Sequence, residues 1–146
     1  SKLLHKLNKT EHVTKRINNI LSYLDSEKRT EPRLIVTHVF PNSYLNNLEI
    51  IEDFDIIDEV NNKKCSNIEE FRKALLNIKG KYIEIVTELN KKVVLEIPKI
   101  IEEESTFSGT YKYPISNTFK KLKKLKFTKK QLKTKRKVSS NKTKKN

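Results

Sequence analysis

Methionine and tryptophan are absent from the 146 residues, and the chain holds only 2 glycines, 4 prolines and 1 cysteine. The glycine-framed surround of a trypsin-like nucleophilic serine is absent. The one Ser-Gly pair, Ser108-Gly109, stands between Phe107 and Thr110 and does not fit it. The lone Cys65 excludes a disulfide within the chain and suits a reducing compartment. No run of apolar residues is long enough to read as a membrane-spanning helix, and the first residues lack the apolar core of a secretory signal. The chain does not begin with Met, from which we expect a segment cut from a longer protein. With its lone cysteine it is expected to be intracellular, cytoplasmic or nuclear.

Negative charge is also missing from one part of the chain. None of the 18 Asp/Glu lies beyond Glu104, whereas 15 of the 32 Lys/Arg do, leaving 17 cations against 18 anions before that point. The net charge of +14 therefore belongs to the C-terminal part, and what precedes it is near neutral. Hydrophobic residues make up 35%, below the usual share for a fully globular chain, so part of it is expected to lie outside any core.

Leu3, Leu4, Leu7, Val13, Ile17, Ile20, Leu21 and Leu24 recur at helical spacing and predict helices over 2–8 and 12–25. Pro32 biases Glu31 away from helix and announces an extended segment. Residues 34–40 and 54–60 read as strands, separated by the Pro41-Asn42-Ser43 break and one helical turn at 44–48. Asn61-Asn62 signals a tight turn, since Asn tolerates positive φ. Ser66 and Glu69 fit a capping box before a helix with Ile68, Phe71, Leu75 and Ile78 on one face. Gly80 is expected at the helix exit. Residues 82–89 and 92–97 form a hairpin around Asn90-Lys91, with Tyr82, Leu89 and Val94 counted among its core side chains, and 99–104 a short helix after Pro98. The division expected is a helical lead-in at 1–31, an α+β domain at 32–104, a flanking coil at 105–118 and a basic tail at 119–146, in which Leu122, Leu125 and Phe127 are able to hold a short amphipathic helix or an anchor and disorder is expected beyond Gln131.

His5, His12 and His38 stand at no spacing that pairs them with a nucleophile or with Cys65, so no catalytic residue and no zinc site is expected. Glu52, Asp53, Asp55, Asp58 and Glu59 cluster without the glycine-containing loop of a calcium site and read as a solvated loop and strand edge. Cys65 precedes a capped helix, where a small apolar group packs, and reads as a core thiol. No cofactor is expected.

The segments VTHVFPNS at 36–43, DIIDEVNNK at 55–63 and IEEFRKAL at 68–75, followed by the hairpin, resemble in order and spacing the PDZ domain of Deg/HtrA (Do-like) serine proteases. The leading KLLHKL and the stretch VVLEIPKIIEEESTFSGTYKYPIS at 93–116 are similar to the flanks of the last PDZ domain in the plant-type Deg branch. The resemblance implies a small, strongly bent, mostly antiparallel sheet with two helices. It implies a non-catalytic C-terminal domain of a parent that hydrolyses peptide bonds with a triad elsewhere, working through protein or peptide partners and through self-association within a protease oligomer. A peptide groove would run between a strand and the helix of Ile68, and the resemblance implies Arg72, Leu75 and Leu76 as its contacts. Two departures favour a scaffold or oligomerisation role over capture of a C-terminal carboxylate. No glycine-containing loop precedes Leu34, and Glu52 and Asn62 stand where turn glycines are usual.

Lys120, Lys121, Lys123, Lys124, Lys129, Lys130, Lys133, Lys135, Arg136 and Lys137 form a dense polycation. Such a run binds phosphate backbones by releasing counterions, or serves as an import signal, or is a lysine-filled solvated tail. The alternative reading of the chain is therefore a nucleic-acid- or polyanion-associated protein acting through this tail.

Overall fold

Side-chain alternation fixes which face of the hairpin turns inward. In the computed structural model, which describes residues 2–25, 27–28 and 30–125, Ile83, Ile85 and Thr87 of β4 (Tyr82–Thr87) are buried, as are Val93 and Leu95 of β5 (Lys92–Glu96). Tyr82 and Val94, expected in the core, are exposed, because a period of two sends every other side chain to water, and Leu89, also expected there, is exposed in the turn beyond β4. β4 pairs antiparallel with β2 (Ile56–Val60), and β2 carries β1 (Leu34–Ile35) and the two-residue β3 (Lys63–Lys64) along its other side. The sheet order is β1-β2-β4-β5 with β3 attached to β2, and every pairing is antiparallel, as the α+β reading expects. A register shift between Ile57 and Glu59 bends β2.

Among the described residues the helices are α1 (Lys2–Ser22), α2 (Tyr44–Asn47), α3 (Ile68–Leu76), α4 (Ile97–Tyr111) and α5 (Asn117–Lys124). Several expected boundaries shift. The leading segment is one continuous helix, since Lys9, Thr10 and Glu11 do not break it. The first strand closes after Ile35; beyond it Val36 alone keeps the ladder, donating to Asp55 and accepting from Phe54. Residues 105–111, expected as coil, continue α4, with Pro98 at its first turn. Residues 117–124 form a helix where the basic tail was expected to begin, because Phe119 and Leu122 reach the core. Residues 126–146 lie outside the described residues.

α3 is capped one residue later than its sequence suggests. The Asn67 side chain accepts from Glu69 N and Glu70 N at 3.1 and 2.9 Å, while the Glu70 carboxylate accepts from Ser66 N and Ser66 Oγ at 2.8 and 2.9 Å. Those Ser66 hydrogen bonds hold the Glu70 carboxyl below its usual range. The helix ends at Leu76 with Asn77 as its C-cap, so Gly80 has no part in its exit and carries no positive φ. Ala74 is the fully buried residue of α3, whereas Ile68 is exposed.

The core joins Ile51, Val60, Cys65, Ala74, Ile83, Ile85, Val93, Leu95, Ile97 and Leu122. Cys65 is buried and its thiol is pushed up by burial, as a packed, unreactive sulfur should be. Leu122 comes from α5, which packs on α3; burying such a side chain stabilises by about 1.5–3 kcal/mol.

Asn61 ties three elements together. Its backbone takes the left-handed conformation (φ 50°) in the β2–β3 turn, its Nδ2 donates to Ala74 O at 2.9 Å, and its Oδ1 accepts from Glu84 N at 3.0 Å. Glu49 (φ 53°) follows α2 in the left-handed conformation that glycine usually supplies after a helix, and its side chain is exposed.

Two stability measurements follow from these positions. Asn61→Ala leaves the Glu84 N–H unpaired, takes one of two donors from the Ala74 carbonyl and strains the turn, so urea unfolding should show a loss of about 2–4 kcal/mol; Asn61→Gly, which relieves the turn, should lose about 1 kcal/mol less. Glu49→Gly should raise stability by about 0.5–1 kcal/mol, the left-handed strain removed exceeding the added entropy of the unfolded chain.

Candidate functional site

No side-chain constellation among the described residues has the geometry of a catalytic site. Ser108 Oγ donates to Tyr113 O at 2.8 Å from within α4. His38, expected inside a strand without a partner, lies exposed beyond β1 with Nδ1 3.4 Å from Asp53 Oδ2 and its ring 5.5 Å from that of Phe40. Among the described residues no group of three or more His, Cys, Asp or Glu gathers to hold a metal ion, and no helix is long and apolar enough to cross a membrane. The expected acidic cluster is tied up in structure. Asp55, with a side chain 0% exposed, accepts from Lys91 Nζ at 2.9 Å and from Glu52 N at 2.9 Å. What the fold offers instead is surface.

The face of α3 comes first, since the helix–strand groove was expected there. Arg72 is exposed. Leu75 and Leu76 are half-buried and pack against the core. α5 lies against the same helix, with Leu122 and Phe119 on its inner side. The space beside α3 is thus partly taken by the chain's own C-terminal helix. Ser116 caps that helix, accepting from Phe119 N at 3.2 Å, and Lys120, Lys121, Lys123 and Lys124 are exposed around it. Lys129, Lys130, Lys133, Lys135, Arg136 and Lys137 lie outside the described residues.

α1 provides the second surface, and it docks by its polar side. Arg16 Nη1 reaches Glu52 Oε2 at 3.0 Å and Asp53 O at 3.2 Å. Asn19 Nδ2 donates to Glu88 Oε2 at 3.2 Å, and Tyr23 OH donates to the same carboxylate. Arg33 Nε closes the cluster, 3.0 Å from Glu88 Oε1 and 2.9 Å from Tyr23 OH. Burial, followed by the Glu88 hydrogen bond, pushes the Tyr23 phenol up, which keeps it a donor. Meanwhile Val13, Ile17, Leu21 and Leu24 are 37%, 50%, 49% and 65% exposed. A cleft of about 980 Å³ opens between α1 and the 39–54 segment, lined among others by His12, Val13, Arg16, Ile17 and Ile51. Phe54, 59% exposed, stands on its rim with φ 70°, a conformation that costs a bulky residue and normally falls to glycine. Sequence reasoning placed the replaced glycine at Glu52; the left-handed residues on that stretch are Glu49 and Phe54.

A third surface is aromatic. Phe40 stacks on Tyr111 at 5.3 Å, and Phe107 meets both rings edge-on. α4 carries Phe107 and Tyr111 against the residues that follow β1, and Glu103 accepts from Tyr44 N at the start of α2. Burial and the Glu104 hydrogen bond (Tyr113 OH to Oε2, 2.9 Å) push the Tyr113 phenol up to about 12, locking the end of α4. Sequence reasoning missed this cluster because Phe107 and Tyr111 fell in a stretch taken for coil. The polar docking of α1 was legible in principle from Arg16, Asn19 and Tyr23 at spacings of three and four.

Comparison with curated proteins and with solved structures gave no match. A family model described as the PDZ domain matches residues 1–117, from the leading helix to the start of α5. That span takes in the bent antiparallel sheet, α3 across it and the α1 lead-in, and PDZ domains are protein-interaction modules. With most of its length matched, this chain belongs to the PDZ domain family.

Proposed function

We propose that this PDZ domain is the non-catalytic contact and oligomerisation domain of a Deg/HtrA-type serine endopeptidase, and that it self-associates through α1. The parentage is supported by the likeness of residues 36–43, 55–63 and 68–75 to the Do-like PDZ wording. The reading of mode rests on one observation: Val13, Ile17 and Leu21 of α1, with Leu24 just past its end, stay more than a third exposed while Arg16 and Asn19 of the same helix are docked. An amphipathic helix on a single domain ordinarily buries its apolar stripe.

A second copy of this chain fits the stripe best. Val13, Ile17 and Ile20 of α1 stand at successive steps of four and three, with Leu24 four residues further on just past the helix end, a spacing suited to a self-complementary helix pair. Each half-exposed side chain contributes about 1 kcal/mol on burial, and a two-fold interface counts every contact twice, giving about 8 kcal/mol gross. Association costs about 4–15 kcal/mol, so at the low end of that cost about 4 kcal/mol remains and the pair is a weak dimer with Kd on the order of 1 mM. Peptide contact at Arg72, Leu75 and Leu76 is the secondary mode, since α5 shares that side of α3.

Sedimentation equilibrium of the whole chain at concentrations through 500 µM should show a monomer–dimer equilibrium. Ile17→Glu with Leu21→Glu should weaken it at least tenfold and leave the thermal midpoint within about 2 °C, both side chains being half in water. A wild-type monomer at every concentration sinks the self-association reading. The parentage has a separate check: the reading frame should encode a trypsin-like domain upstream, and a frame without one removes it.

A further inference from the structure

α5 is a short helix whose two sides have opposite assignments. Phe119 and Leu122 face the core and α3, while Lys120, Lys121, Lys123 and Lys124 are exposed. Among the described residues no carboxylate pairs with any of these four, whereas Lys15, Lys64, Lys91, Lys92 and Lys99 each meet one. Like charges three and four residues apart repel by about 0.2–0.5 kcal/mol per pair, so the face stays cationic at a small cost. Part of that cost is offset because Lys121, Lys123 and Lys124 sit in the last turn, where the helix dipole favours cations. The sequence continues in the same sense. Residues 126–146 add Lys126, Lys129, Lys130, Lys133, Lys135, Arg136, Lys137, Lys142, Lys144 and Lys145, with no acid among them.

We propose that the exposed lysine face of α5 binds the phosphate backbone of nucleic acid without reading base sequence. The core-side docking of α5 sets the direction of the argument. A helix that binds an anionic membrane inserts a free apolar face. Here Phe119 and Leu122 are already committed to the domain, leaving Leu125 as the exposed apolar residue at the helix end. What remains is a row of ammonium groups on a rigid support, suited to a line of phosphates and to counterion release. Holding these lysines on a helix docked to the domain also lowers the ordering cost of binding.

Fluorescence anisotropy of the whole chain with a labelled 30-base-pair DNA duplex tests this, with a second duplex of scrambled sequence, phosphatidylcholine vesicles containing phosphatidylserine, and polyglutamate as further arms. Both duplexes should bind equally, with affinity falling on the order of 1000-fold between 50 and 200 mM NaCl. Replacing Lys120, Lys121, Lys123 and Lys124 by Gln should weaken binding roughly tenfold at 100 mM salt and flatten the log–log salt slope by about 3. The same four positions changed to Arg should restore both. Far-UV circular dichroism shows whether α5 persists in each variant. No duplex binding at 50 mM salt overturns the proposal. So does tighter binding to the vesicles or to polyglutamate, or a glutamine variant with wild-type affinity and slope. Dimerisation through α1 is read by a different measurement, so either reading can fail alone.

Discussion

The amide of Asn61 holds the domain together at the point where its layers meet. It sits in a tight left-handed turn between β2 and β3, and its side chain bonds the C-terminal end of α3 on one side and β4 on the other. A strand beside a turn leaves an N–H without a partner. One short amide satisfies it, gives the Ala74 carbonyl a second donor beside Asn77 N, and so ties α3 to the sheet. The position of α5 depends on that of α3, because its Leu122 completes the core in which Ala74 of α3 is also buried. The direction in which the α5 lysines project is therefore set from Asn61.

A second fixed point lies at the opposite end of the sheet. The fully buried Asp55 carboxylate is paired with Lys91 of the hairpin turn, and Glu52 beside it bridges Lys91 and Arg16 of α1. A buried charge left unpaired is costly, so this network holds its members in place whatever its net stability. Together with the Glu88–Tyr23–Arg33 cluster it attaches α1 by hydrogen bonds and charge rather than by apolar packing. That leaves the apolar stripe of the helix for another surface. Contact is the common theme of a molecule whose titratable groups are spent on internal attachment and whose outer faces are a greasy helix and a cationic one.

Much of this could be read from the sequence where local chemistry decides. The β4–β5 hairpin, the Asn61-Asn62 turn, the helical turn after Ser43 and the helix beginning at Ile68 all carry short-range signals. Errors concentrated where a competing local choice was close in energy. Asn67 displaced Ser66 as the cap of α3, because its side chain reaches two N–H groups at once. The first strand closed early because Val39 N bonds the Asp53 side chain instead of a neighbouring strand. The glycine-like positions fell at Glu49 and Phe54, which no propensity for Glu or Phe would suggest. Of the site residues, the α5 lysines were legible as a charge run. The reach of Leu75 and Leu76 into the core was not, since a helical face reads alike whether it meets a groove or its own domain.

Composition and spacing by themselves determined the class: an α+β domain of alternating strands and one capped helix, near neutral, followed by a chain of lysines without acids. They did so because alternation, capping and charge balance are properties of neighbours in sequence. Only the tertiary structure decided which side of α1 docks, that α5 closes over α3, and that Phe40, Phe107 and Tyr111 gather into one patch. Those are meetings between residues far apart along the chain, and amphipathicity announces that a face must be covered without saying by what.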